Sequence, residues 1–478
     1  MSKLSNYNSQ WRVELVDEPD LVFAKDRTAA DPRSGLLEYG PVPRNKETPG
    51  EMVNIGIIGT SRSISMTESL LRRMRNGIQS TKQRKRWKHH FPGLGLDSEL
   101  RLDYQVLEKW KSRFTSDELD ALRGISDRDK RIEAVCDQFE ARFHKVCRHT
   151  PEPDVIFVAL PEEIVDLCAD PSTDTERIQT ESGGDFHSRI KIIGMKYKPT
   201  QIMTPRALHG GKDVQEQSEI AWNLAVGLLY KARGGRPWKL TKLQSQTCYA
   251  GISFYKEHQA DPDTRAAIAQ VFISSGEPLI IEGGTVEDAA ADEPQTHLSY
   301  EDAKRIVEDI LEGYGNRRDE KPNRLVLHKS SNFLDDETRG FRDGASDVNV
   351  KEFITIRDNH PIQFFPERDN PPLRGTLAIP PGEKEYYLYT TGFVPEQSVY
   401  NHGGSPNPLV IKPHSEYFTG DYLRICEEVM KFTKLNWNSS DFCQSDPVTL
   451  SIADAVGDIL AEPAAEDVNL DSHYFHYM

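Results

Sequence analysis

The pattern of the chain predicts an α/β protein with two domains in tandem, and three observations carry that reading. A short apolar run, Val53-Asn54-Ile55-Gly56-Ile57-Ile58-Gly59, leads through a turn into a helical pattern marked by Leu70, Leu71 and Met74. Further apolar runs then alternate with helical stretches as far as Gly234-Gly235, an order that gives a mostly parallel sheet. After Pro237-Trp238 several strands come in succession before helices resume, which is the layout of an RNase-H-like sheet.

Residues 1–50 are rich in proline, glycine and charge and read as an extended N-terminal segment lying on another domain. Residues 51–236 form the first domain. Its opening strand is followed by a buried strand at Val155 to Leu160, a third at Ile190 to Met195 and a fourth near Gln201-Ile202-Met203. A long helix from about Ser218 to Tyr230 closes it. Residues 237–478 form the second domain, with strands at 247–256, 267–274 and 278–282 and a surface loop at 284–296. A helix from Tyr300 to Tyr314 places Ala303, Ile306, Val307, Ile310 and Leu311 on one face, the spacing of a helix packed on a sheet. Strands at 324–328, 350–357, 374–379 and 385–391 follow, then helices at about 418–433 and 450–461.

The composition, with 37% hydrophobic residues and a mean hydropathy of -0.60, is that of a soluble chain with buried cores. No apolar run of about 18 residues is present, so a membrane span is not expected. Met1 to Trp11 lacks the apolar centre of a signal peptide, and the six cysteines are scattered with no C-x-x-C pair. Both features point to free thiols in a reducing cytoplasm. The formal net charge is -16, yet no acid occurs between Ser69 and Leu96. There Arg72, Arg73, Arg75, Lys82, Arg84, Lys85, Arg86 and Lys88 crowd together, either as a solvated helix face or as a patch that tracks phosphates. The acidic remainder is suited to docking a basic partner chain.

Gly56-x-x-Gly59-Thr60-Ser61 reads as a tight turn. As a phosphate site it lacks the full G-x-G-x-x-G and any P-loop lysine. His144, Cys147 and His149 fit no zinc spacing. His187 and Lys191 are four apart, so both side chains lie on one side of a strand or a helix. Gln201 opens the next strand, and Lys231 ends the long helix. In the second domain, Cys248 to Tyr255 reads as the first strand of the sheet and Arg324 to Ser331 as a later one. Nucleases of this fold hold two divalent ions on carboxylates at such strand ends. This chain has Ser253 and Ser330 there, and a neutral hydroxyl does not offset that charge.

Four segments together resemble a short prokaryotic Argonaute built of MID and PIWI domains. They are Asp31-Pro32-Arg33-Ser34-Gly35-Leu36-Leu37-Glu38-Tyr39-Gly40-Pro41, Pro199-Thr200-Gln201, Tyr230-Lys231-Ala232-Arg233-Gly234-Gly235-Arg236-Pro237-Trp238, and Thr433-Lys434-Leu435-Asn436-Trp437-Asn438. The resemblance implies a Rossmann-like MID domain followed by an RNase-H-like PIWI domain. It places His187 against the first guide nucleotide and Lys191, Gln201 and Lys231 on the guide 5′ phosphate. It also implies Mg²⁺ between that phosphate and the terminal carboxylate of Met478, behind the aromatic tail from Tyr474. Ser253 and Ser330 stand where active relatives carry aspartates, and Asp454 matches the last acid of the tetrad. Glu282 is no convincing replacement for the tetrad's glutamate. Guide and target contacts are expected at Thr433, Asn436, Asn438 and around Tyr389-Thr390-Thr391-Gly392. The implied function is a catalytically inactive subunit that loads guide RNA and recognises single-stranded DNA. Its implied partner is an APAZ-containing effector, a sirtuin-like or TIR-type NADase or a nuclease, acting against plasmid or phage. Two other readings stay open: an active guide-directed endonuclease, and a nucleotide-binding α/β enzyme using the Gly56 turn.

Overall fold

The computed structural model describes residues 11–44, 50–81, 89–169, 186–209, 215–232, 234–241, 243–256, 265–273, 278–286, 297–358, 360–367, 370–382, 384–397, 405–462 and 474–477. Its first sheet is parallel throughout. The strands run in the order Leu102–Gln105, Glu51–Gly59, Val155–Ala159, Thr200–Met203, with Lys111–Arg113 paired alongside Glu51–Gly59. All five residues of Val155–Ala159 are buried, which is why this strand reads as a continuous apolar run. Its residues alternate between two cores. Phe157 joins Ile55, Ile57, Leu71 and Trp222 on one face. Ile156 and Val158 join Ile58, Phe139, Phe143 and Ile190 on the other.

The segment expected as a third strand is a helix, Phe186–Met195. Phe186, Ile190 and Ile193 lie at i, i+4 and i+7 and pack into the second core. A short apolar run satisfies either period, and here the sheet position beside Val155–Ala159 is taken by Thr200–Met203. The Gly56 turn is a closed structural one. Thr60 caps the helix Ser61–Asn76 in a reciprocal capping box with Ser63. The Ser63 hydroxyl also donates to the Ala159 carbonyl at 2.8 Å. A Cβ at Gly59 would lie 2.4 Å from Ser63 Oγ and 2.6 Å from that carbonyl, so the glycine answers to packing.

The second sheet has nine strands, in the order Arg12–Leu15, Thr376–Ile379, Tyr386–Leu388, Leu409–Pro413, Val350–Arg357, Arg324–Lys329, Thr247–Lys256, Arg265–Ile273, Pro278–Val286. The last three form an antiparallel meander, and Arg324–Lys329 and Val350–Arg357 add in parallel on the other side. This is the RNase-H-like arrangement. Strands expected at 374–379 and 385–391 are shorter, at Thr376–Ile379 and Tyr386–Leu388, and beyond their ends the Arg374, Tyr389 and Thr390 side chains reach polar partners. The helices Tyr300–Arg318 and Asp335–Gly344 cover one face through Leu325, Leu327 and Phe353. The helix Tyr422–Phe432 covers the other through Tyr249, Val326 and Ile354.

Buried charge fixes one end of this sheet. Arg324 donates to Glu352 at 2.7 Å and to both oxygens of Glu428 at 2.6 and 2.8 Å, and Tyr249 donates to Glu428 at 2.7 Å. The N-terminal segment is woven into both halves. Arg12–Leu15 extends the nine-stranded sheet, Leu21–Val22 pairs with Lys239–Leu240, and the helix Pro32–Tyr39 starts at an Asp31 cap. Among the described residues no helix is long and apolar enough to cross a membrane.

The last helix, Val448–Leu460, lies directly on the first strand of the meander. A Cβ at Gly251 would come within 1.7 Å of the Thr449 carbonyl oxygen. Gly251→Ala is therefore expected to destabilise the protein by about 3 kcal/mol or more through overpacking, read as a lower urea midpoint. Gly315→Ala serves as the control. That helical position has open space around it, so the change should be neutral or gain up to about 1 kcal/mol.

Candidate nucleic-acid interface

Three elements build a polar pocket at one end of the parallel sheet. The helix Phe186–Met195 carries His187 and Lys191 on one side. The strand Thr200–Met203 carries Gln201, and the helix Gln217–Lys231 ends at Lys231. Lys231 Nζ donates to Gln201 Oε1 at 2.8 Å and to the Thr200 carbonyl at 3.2 Å. Lys191 Nζ donates to the Tyr477 carbonyl at 3.0 Å, which brings the aromatic tail into the same place. Tyr477 is only 1% exposed. Phe475 packs edge-on against Tyr230, with ring centroids 5.8 Å apart. His187 is half-buried on the helix face it shares with Lys191, its ring edge-on to Phe186.

Electrostatically the pocket is prepared for an anion. Burial pushes the Lys231 amine well below the usual lysine range, and the charge of Lys191 pushes it further the same way. A negative ligand relieves the second effect and offsets the first. Gln201 and the Thr200 carbonyl orient the amine. Met478, whose carboxylate the resemblance brings here, lies outside the described residues. A phosphate and a carboxylate together are the hard-oxygen donors that suit Mg²⁺, and the buried Tyr477 carbonyl on Lys191 places the preceding residue within the pocket.

The two serines meet in the second sheet. Ile252 and Lys329 are register partners on parallel strands, so Ser253 and Ser330 are the next residues up on each. Ser253 is buried and Ser330 exposed. Between them and the helical layer, Lys329 forms a fully buried ion pair with Glu337. On the opposite face His328 Nδ1 is 2.8 Å from Thr449 Oγ1, and burial pushes the His328 imidazole down to about 3. Asp454 lies on the helix Val448–Leu460 and Glu282 on the strand Pro278–Val286. The side chains of both lie outside the description. Among the described residues no three His, Cys, Asp or Glu side chains cluster so as to hold a metal ion.

Several expected contact residues have structural jobs instead. Thr433 is fully buried; its hydroxyl donates to the Met430 carbonyl at 2.6 Å and accepts from Arg374 at 2.9 Å. Tyr389, Thr390 and Thr391 are buried as well. Asn436 accepts from the Asn438 backbone at 2.9 Å, and Asn438 is exposed. In the basic stretch 72–90, Arg73 donates to Gln217 and Arg75 is held by Asp103 at 2.7 Å. Residues 82–88 lie outside the described set. Sequence reasoning also missed the hub of Glu18, Arg374 and Lys434, in which Glu18 lies 356 and 416 residues from its two partners and no local signal marks the set.

No protein-family profile matches the chain, and no curated protein does. Solved structures do. Clostridium butyricum Argonaute, bound to a guide DNA and a 19-mer target DNA, superposes with a TM-score of 0.65 at 13% identity over 97% of this chain and 54% of that one. Aquifex aeolicus Argonaute gives 0.56 at 15% identity, covering 95% of this chain and 55% of that one. Drosophila Piwi gives 0.59 at 13%, covering 98% and 56%. The chain thus spans about half the length of the structures it matches. At such identities the likeness speaks for architecture, and over nearly its whole length the chain has the MID–PIWI fold of the Argonautes.

Proposed function

We propose that this chain is a catalytically silent guide-binding subunit. It grips the 5′ phosphate of a guide strand through Lys191, Gln201 and Lys231, stacks His187 near the first nucleotide, and presents the guide for pairing with a target strand. The observation that carries the proposal is the convergence of two lysine amines and the 474–477 tail on one pocket. By resemblance the guide is RNA and the target single-stranded DNA. The Clostridium butyricum protein holds guide DNA, so both guide chemistries belong in the test. Mg²⁺ at the phosphate, held with the Met478 carboxylate, completes the proposed site. The neutral Ser253 and Ser330 favour binding without cleavage over the active-endonuclease reading. The capped, buried Gly56 turn argues against the nucleotide-enzyme reading. The same resemblance supports a cytoplasmic defence role with a companion chain, an APAZ-containing NADase or nuclease effector that target pairing activates. Such activation requires the target to bind the active arrangement better than the resting one.

The purified protein should bind 5′-phosphorylated strands more tightly than 5′-hydroxyl strands. Lys191→Ala with Lys231→Ala should remove that preference and lower the salt slope by roughly one unit per lost contact. Equal affinity for both ends in the unchanged protein would defeat the proposal.

Proton linkage gives an independent readout. Free of ligand, Lys231 titrates below an ordinary lysine, so an arriving phosphate raises its pKa and binding takes up a proton. At about pH 8.5 the terminal phosphate is already doubly charged. Uptake measured there by calorimetry in buffers of different ionisation heat should come from Lys231. It should vanish in Lys231→Met, and phosphate-end affinity should fall as pH rises. No uptake in the unchanged protein would contradict this placement of the amine.

Incubated with Mg²⁺ and complementary DNA, the loaded protein should leave the target intact; a product cut at one fixed position would restore the endonuclease reading. Ser253→Asp with Ser330→Asp should lower stability in EDTA by about 1–3 kcal/mol, because a buried carboxylate lacks compensation. Mn²⁺ should recover part of the loss. Thermal melts with and without the ion check this, and a stability loss indifferent to Mn²⁺ would show that the strand ends do not approach ion-holding geometry.

A further inference from the structure

A second concentration of positive charge lies on the far side of the helix Gln217–Lys231. Lys231 turns toward Thr200 and Gln201. Leu229, two residues earlier and so about 200° around the helix, lines a small open cleft of about 30 Å³. Arg44, Arg101 and Arg236 line it too, with Glu51 as the single carboxylate among the described residues that line it. The backbone fixes their approach. Val42 and Arg236 form an antiparallel bridge, with the Val42 N–H donating to the Pro237 carbonyl at 3.3 Å. Arg101 is held in the left-handed region at φ 48°, where its carbonyl accepts from the Glu51 N–H at 2.7 Å. A long side chain in that conformation costs free energy, and here it lays the guanidinium against Gly40. Arg44 and Arg101 have no ion-pair partner among the described residues.

We infer that this cleft is a phosphodiester site for a nucleic-acid strand, separate from the Lys191–Lys231 pocket; the inference rests on the guide-binding reading. Among the described residues Arg44 and Arg101 have no ion-pair partner and lie with Arg236 around one carboxylate, Glu51, in a chain of formal net charge -16. Planar guanidinium forks match the two free oxygens of a phosphodiester. The cleft has room for about two water-sized groups, which fits those oxygens. Burial lowers the Arg236 pKa, Tyr230 opposes the shift and Arg318 adds to it.

The test compares Arg44→Gln with Arg101→Gln, Arg44→Glu alone, Lys191→Ala with Lys231→Ala, and the unchanged protein. Each is titrated with a 5′-phosphorylated dinucleotide and with a long 5′-phosphorylated strand over a salt series. Arg44 is exposed, so its single change serves if the double one folds poorly. The expected result is unchanged dinucleotide affinity and a weaker long strand. The salt slope for the long strand should fall by about one unit per guanidinium removed. An unchanged long-strand slope, with the lysine variant still defective, overturns the cleft and leaves the guide pocket standing. A long strand indifferent to both sets overturns both. Equal loss for the dinucleotide overturns the cleft as a separate site. Loss of a co-purifying acidic protein with unchanged strand binding also overturns it and gives the cleft to that partner.

Discussion

The architecture depends on one buried charge hub. Lys434, 2% exposed, donates to Glu18 at 2.6 Å and to the Ala30 carbonyl at 2.5 Å. Arg374, 6% exposed, reaches the other oxygen of Glu18 at 2.6 Å and the Thr433 hydroxyl at 2.9 Å. Burial alone would raise the Glu18 carboxyl, but the two cations outweigh it and hold the pKa below the ordinary value. Removing the carboxylate would leave two cations inside the protein, a loss on the order of 3–5 kcal/mol. The hub joins the N-terminal segment, the nine-stranded sheet and the loop 433–438. From that loop, the Lys434 carbonyl accepts from the Trp238 indole at 2.9 Å, and Trp437 packs on Tyr230 at 4.7 Å. Tyr230 in turn holds Phe475. The pocket at Lys191 and Lys231 is therefore positioned by contacts that begin in the other half of the molecule.

This explains what was legible in the sequence and what was not. The runs Gly-Gly-x-Pro-Trp and Thr-Lys-Leu-Asn-Trp-Asn stand out and meet in the fold, through the Trp238 indole on the Lys434 carbonyl. Their distinctiveness said little about which side chains face a ligand, and Thr433 proved to be interior. Strands with a marked local pattern, such as the continuous apolar run Val155–Ala159 and the stretch Thr247–Lys256, were readable from the sequence. The run Ile190 to Met195 was not, because the competition for a sheet position is decided by Thr200–Met203, several residues later. The pairing of His187 with Lys191 survived that error, since a separation of four keeps two side chains together in either structure. The hubs at Glu18 and Arg324 join partners up to 416 and 104 residues apart, and no local pattern announces them.

Charge is sorted by place. The chain is acidic overall, yet cations gather at the end of the Gln217–Lys231 helix, at Lys191 and Lys231 on one side and Arg44, Arg101 and Arg236 on the other. A negative surface repels nucleic acid over roughly a Debye length of 8–10 Å at physiological salt. Binding then depends on short-range, desolvated contacts, which discriminate a strand end from bulk polyanion better than a broad basic face does.

The serine-bearing strand ends follow the opposite rule. Lys329 and Glu337 neutralise each other in the interior, and His328 stays uncharged. Near the serines the described charge is internally balanced, whereas a two-metal site needs excess negative charge. Such a region is suited to packing, and what packs on it is the helix Val448–Leu460. Near its start Thr449 closes on Gly251 and His328. Beyond its end Glu462 pairs with Arg189 at 3.1 Å, two residues from Lys191 on the pocket helix. Thirteen residues of helix make a rod about 20 Å long. A displacement of the pocket helix must therefore either break the Arg189–Glu462 pair or drive the rod against a strand where not even a methyl group fits.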